Sequence, residues 1–125
     1  MKSHLLGLVL LLFPILCFGQ EKPFISFDKK SIDFGTIKYK PNSVIRIKFY
    51  FKNTGELPLV IRKVDASCGC TVPTWTKHPI KAGSKDFVFV LFKMKNKQGK
   101  IMKSLFVNSN TDERVTVLHI KGEII

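Results

Sequence analysis

The chain has 125 residues, with 21 lysines and arginines against nine acidic residues, a formal charge of +12. That length fits one small domain and not two. Hydrophobic residues at 45% and charged residues at 24% exclude a disordered tail and a bundle of membrane helices.

The first twenty residues read as an address. Lys2 supplies a positive start, and Leu5 to Phe18 form an apolar run interrupted by Gly7 and Pro14. Such a run has the length of a signal-peptide core and is too short to span a bilayer as a helix. Cys17 and Gly19 are the small residues that signal peptidase needs at the third and first positions before a cut. Residues 1–19 are therefore expected to be a signal peptide, cleaved between Gly19 and Gln20. Lipidation at Cys17 is the alternative, opposed by Leu16 where a small residue is needed. A single domain, 20–125, is expected outside the cytoplasm: periplasmic, cell-surface or extracellular. It has no transmembrane segment and two cysteines, Cys68 and Cys70.

The rest reads as strands and turns. Phe24 to Phe27 and Ile32 to Phe34 make a short start that Gly35 is expected to break. Ile45, Ile47, Phe49 and Phe51 alternate with Arg46, Lys48, Tyr50 and Lys52, the period of a half-buried strand. Asn53-Thr54-Gly55-Glu56 follows as a turn, and Pro58 opens a second strand, Leu59 to Val64. Phe87 to Phe92 is apolar at every position, which predicts a central strand covered on both faces. Ile101 to Val107 and Val115 to Ile120 complete the set, joined by the polar loop Asn108 to Asp112. About seven short strands separated by turn signals predict an all-β fold, an immunoglobulin-like antiparallel sandwich.

The most unusual local feature is Ser67-Cys68-Gly69-Cys70-Thr71, followed by Val72, Pro73, Thr74 and Trp75. In an extended chain, cysteines at i and i+2 share a side with Cα atoms about 6.6 Å apart. A disulfide needs about 4.4 to 6.8 Å, so the pair bridges only with some bending, for which Gly69 offers access to positive φ. Four readings stay open: a local structural disulfide packed on Trp75, a redox or thiol-exchange site helped by Lys63 or Lys77, a Cu(I) or Zn site recruiting His78 or His119, and two unused thiols. Met94 and Met102 are possible soft ligands but fit core filler better.

No acid–base pair, nucleophile elbow, H-E-x-x-H helix or phosphate-cradling loop is present, so no catalytic, cofactor or metal residue is assigned and no enzyme is expected. Arg46, Lys48 and Lys52 line one strand face. Lys93, Lys95, Lys97, Lys100 and Lys103 gather around a turn. Either set suits a polyanion, and aromatic interleaving is limited to Tyr50.

From Ile32 to Glu123 the chain resembles a secreted bacterial family known as domain of unknown function family 1573. The resemblance is carried by Asp33-Phe34-Gly35-Thr36-Ile37, Phe51-Lys52-Asn53-Thr54-Gly55, Pro58-Leu59-Val60-Ile61, Ser67-Cys68-Gly69-Cys70-Thr71-Val72-Pro73, Trp75, Gly99, Val107-Asn108-Ser109-Asn110 and Ile120-Lys121-Gly122. Ala82-Gly83 departs from the Pro-Gly more usual there. The resemblance implies an immunoglobulin-like sandwich and export, and it implies no activity. The expected function is an exported, non-enzymatic binding or structural module, a monomer that meets a protein or polyanionic surface partner and no specific nucleic acid. The alternative is a thiol protein using Cys68 and Cys70 for redox exchange or soft-metal binding.

Overall fold

The computed structural model describes residues 21–95 and 99–125. The signal-peptide and lipidation readings, and Lys97, lie outside the described residues. Eight strands form: β1 (Ile25–Phe27), β2 (Ser31–Ile37), β3 (Val44–Asn53), β4 (Ile61–Ala66), β5 (Thr71–Thr74), β6 (Lys85–Lys93), β7 (Gly99–Ser109) and β8 (Val115–Ile124). They build two four-stranded sheets, β1-β3-β6-β5 and β2-β8-β7-β4. The fold is the expected all-β, immunoglobulin-like sandwich.

Period-two patterning makes the core. Ile45, Ile47, Phe49 and Phe51 of β3 pair across to Phe92, Val90, Val88 and Asp86 of β6, and every hydrophobic residue among them is buried. The facing sheet contributes Leu105 and Val107 from β7 and Leu118, Ile120 and Ile124 from β8. In β4 the inward residues Ile61 and Val64 are three apart, not two. A register shift between Ile61 and Lys63 accounts for this, since a bulge adds one residue to the alternation.

The sequence expectations are corrected at three strands, β2, β5 and β6. Gly35 does not end a strand: β2 runs on to Ile37, and the pairing with β8 shifts between Asp33 and Thr36. Gly35 sits there at φ +82°, its N–H donating to Asp33 Oδ1 at 2.8 Å, so it serves a bulge. The β2–β8 pair is also parallel, in an otherwise antiparallel fold. A further strand, β5, has the sequence Thr-Val-Pro-Thr. Its proline argues against a central strand, and β5 lies at a sheet edge, where the missing N–H costs least.

The third correction concerns β6. It is central, between β3 and β5, but the sandwich covers only one of its faces. Val88, Val90 and Phe92 are buried, whereas Phe87, Phe89 and Leu91 point outward and are half-buried.

Candidate functional site at the corner between the sheets

Strand β4 belongs to one sheet and β5 to the other, and the chain crosses between them through Ser67 to Cys70. Both ends of the crossing are tied. The Ser67 N–H donates to the Ser104 carbonyl at 3.0 Å, and the Ser104 N–H donates to the Ser67 hydroxyl at 3.1 Å. On the other side the Lys93 N–H donates to the Cys70 carbonyl at 2.8 Å, and the Thr71 N–H to the Cys68 carbonyl at 3.0 Å. This turn brings the cysteine Cα atoms to 5.2 Å, nearer than in an extended chain, with the sulfurs 2.03 Å apart in a disulfide bond. Cys68 is half-buried and packs against the core, while Cys70 is buried. The Cys70 N–H points at Cys68 Sγ from 3.1 Å.

The bend is not made by a left-handed glycine. Among the described glycines only Gly35, Gly83 and Gly99 have positive φ. A Cβ on Gly69 would meet nothing within 4 Å. The expected reliance on Gly69 is therefore not what shapes the corner; the three backbone–backbone bonds and the Ser67 hydroxyl contact above hold it.

A surface groove of about 220 Å³ opens at this corner, lined by Cys68, Cys70, Phe92, Lys93, Lys95, Ile101, Lys103 and Ile124. Two features far apart in sequence, the cysteine pair and part of the lysine cluster, thus share one site. Lys103 occupies an inward position of β7, in phase with Ile101 and Leu105, which carries its side chain to the groove. Among the described residues no Asp or Glu lines the groove. Lys100 lies elsewhere, with Asp33 and Glu123 in a depression on the outside of the β2-β8-β7-β4 sheet.

Trp75 is not part of the groove lining. It packs against the core, with the Lys77 ammonium 3.2 Å from the centre of its ring. The histidines stand apart from the cysteines. His78 Nδ1 lies 3.2 Å from the Pro79 carbonyl, and His119 Nδ1 lies 3.1 Å from the Ser104 hydroxyl. Met94 is buried in the core and Met102 is exposed on the opposite sheet. Among the described residues no three of His, Cys, Asp or Glu gather where one metal ion could meet them.

The outer face of the β1-β3-β6-β5 sheet is a second surface. Register places Arg46 beside Leu91, Lys48 beside Phe89 and Tyr50 beside Phe87, with Val72 of β5 on the far side of Leu91. Lys48 Nζ lies 4.8 Å from the centre of the Phe87 ring, and the Tyr50 and Phe87 rings meet edge-on at 5.6 Å. Lys52, Lys85 and Lys93 stand on the same face, and no outward position of β3, β5 or β6 carries Asp or Glu. The limited interleaving read from Tyr50 alone is therefore corrected: β6 supplies two more aromatic rings to the same face. The sequence signal was present in the outward half of Phe87 to Phe92, but it read as core.

Asn53, a turn residue by its sequence context, has a larger role in the structure. Its side chain is fully buried. Nδ2 donates to the carbonyls of Leu57 at 2.8 Å and Ile80 at 3.0 Å, and Oδ1 accepts from the N–H groups of Gly55 at 3.0 Å and Phe24 at 3.3 Å. One amide thus ties three chain segments at the end of the sandwich far from the cysteines.

Solved structures share this architecture at low identity. A protein of unknown function from Porphyromonas gingivalis W83 superposes with a TM-score of 0.69 at 12% identity over 86% of this chain. The chain spans 49% of that protein's length. The ASH/PapD-like domain 7 of human CEP192 superposes with a TM-score of 0.64 at 12% identity, covering 90% of this chain and 94% of that domain. The VesB protease of Vibrio cholerae gives 0.55 at 11% identity over 80% of this chain, which spans 31% of the protease. Identities this low show a shared fold and nothing further. No curated protein matches the chain. The DUF1573 profile, described as a protein of unknown function, matches residues 25–124, from the first residue of β1 to the last of β8. The chain belongs to the DUF1573 family.

Proposed function

We propose that the protein is an exported, non-enzymatic binding module that takes an anionic partner on the outer face of the β1-β3-β6-β5 sheet. One observation carries this reading: β6 is apolar on both faces, and the sandwich covers only one. The uncovered half, Phe87, Phe89 and Leu91, is joined by Tyr50 and Val72 and bordered by Arg46, Lys48 and Lys52. Half-exposed aromatic rings favour flat or apolar partner groups, and a border in which Arg46, Lys48, Lys52 and Lys85 outnumber one carboxylate, Asp28 at the β1 edge, favours negative charge. The ligand class is an amphipathic polyanion of a cell surface, such as an acidic glycan or a phosphorylated lipid. Export rests on the leader-like first twenty residues and is compatible with the disulfide.

Binding of a sulfated polysaccharide and of anionic lipid vesicles, measured by calorimetry, tests the reading. Lys48→Glu with Phe87→Ala is expected to weaken binding at least about tenfold, since two central contacts are lost. The melting temperature of this variant should move little, because both side chains lie on the outer face. Unchanged binding in that variant, or no binding of either probe by the native protein, overturns the assignment.

A further inference from the structure

We propose that the Cys68–Cys70 bridge is a thiol-exchange site for anionic thiols. Both cysteines line an open groove, with Cys68 the more exposed of the two. Lys93, Lys95 and Lys103 share that groove with no carboxylate, so an incoming thiolate that carries further negative charge is drawn to the sulfurs. The same cations favour the thiolate that leaves.

The exchange balances as follows. A thiolate R–S⁻ attacks Cys68 Sγ, forming an R–S–Cys68 mixed disulfide and breaking the Cys68–Cys70 bond, and the bonding electron pair leaves on Cys70 Sγ as thiolate. A second R–S⁻ attacks the R sulfur of the mixed disulfide, releasing R–S–S–R and leaving a thiolate on Cys68. The anionic thiol is the reductant, and the protein disulfide is reduced by two electrons. The Cys70 N–H, 3.1 Å from Cys68 Sγ, is placed to donate to that second thiolate. The corner survives opening of the bridge because backbone hydrogen bonds hold it: Ser67 to Ser104, Lys93 to Cys70 and Thr71 to Cys68. The groove shares Lys93 with the rim of the sheet face proposed above, but the test below substitutes only Lys95 and Lys103, so the two readings fail independently.

The test compares two small thiols at equal thiolate concentration and low salt, glutathione (net negative as thiolate) and cysteamine (net neutral as thiolate). Bridge opening in the folded protein is followed by alkylation and intact mass, with circular dichroism reporting the fold. Glutathione is expected to react faster, and peptide mapping of the trapped adduct is expected to place it on Cys68. Lys95→Gln with Lys103→Gln is expected to slow glutathione about fivefold, the summed effect of one exposed and one half-buried charge, and to leave cysteamine no slower. Lys81→Gln, at the opposite end of the sandwich where Gly83 bonds to Asn53, should change neither rate. A bridge that resists millimolar glutathione until the protein is denatured overturns the proposal. So do equal rates for the two thiols with no effect of the lysine substitutions.

Discussion

At the scale of single residues, Asn53 and the glycines decide most. Asn53→Ala removes four hydrogen bonds from a fully buried amide and strands the N–H groups of Phe24 and Gly55 and the Leu57 carbonyl, while the Ile80 carbonyl keeps the Leu59 N–H. The expected loss is about 2–4 kcal/mol, read from urea midpoints, because groups left buried and unpaired bear their desolvation cost. Gly122 faces the core, and a Cβ there would overlap the ring of Phe34, which stacks towards Phe92 at 6.2 Å. Gly122→Ala is expected to cost about 1–3 kcal/mol by overpacking. Gly69→Ala is expected to change stability by less than about 0.5 kcal/mol, since its surroundings are open and its φ is not left-handed. Equal losses in the two glycine variants would contradict this contrast. Lys22 donates to Asp112 Oδ2 at 2.7 Å, which raises its pKa above the ordinary lysine value. Stability from this pair is present below that ordinary value and lost as pH rises through the raised one. The pair is exposed to solvent, so its contribution is small and Lys22→Met should lower a melting curve at neutral pH only slightly.

At the scale of elements, the corner between β4 and β5 and the two faces of β6 matter most. The disulfide closes a loop of three residues, so it removes little entropy from the unfolded chain. Cys68→Ser with Cys70→Ser is expected to cost about 1.5 kcal/mol or less by the loop-entropy relation, with the strand content retained by circular dichroism. Loss of the fold in that variant would show that the bridge, rather than the backbone tethers, holds the corner. Strand positions were readable from period-two alternation wherever only one face is apolar, as in β3. Apolar patterning marked β6 as a central strand but not the exposure of its second face, because a strand apolar on both faces looks the same whether that face is covered or not. It also missed β5, where a proline hides a four-residue edge strand.

At the scale of the whole molecule, the sandwich rests on one apolar layer between two sheets, with Phe49, Val88, Leu105 and Leu118 fully buried. Phe49→Ala is expected to destabilise by about 3–5 kcal/mol, the loss of transfer energy plus a cavity, measured by chemical denaturation. Lysines and arginines outnumber acidic residues 21 to nine, and partner binding through these charges should weaken steeply with added salt. Alternation of apolar and polar residues was enough to name the fold class, because burying one face of each strand is a local requirement written into neighbouring positions. The Cys-Gly-Cys motif likewise marked its corner, since two residues so close in sequence must be close in space. Pairing partners across the sandwich were not local, and only the folded chain decided them. It placed Lys95 and Lys103 beside the cysteines, set Phe87 and Phe89 against Lys48 and Tyr50, and ran β2 parallel to β8. Each of these depends on register between distant strands, which the patterning of any one strand does not contain.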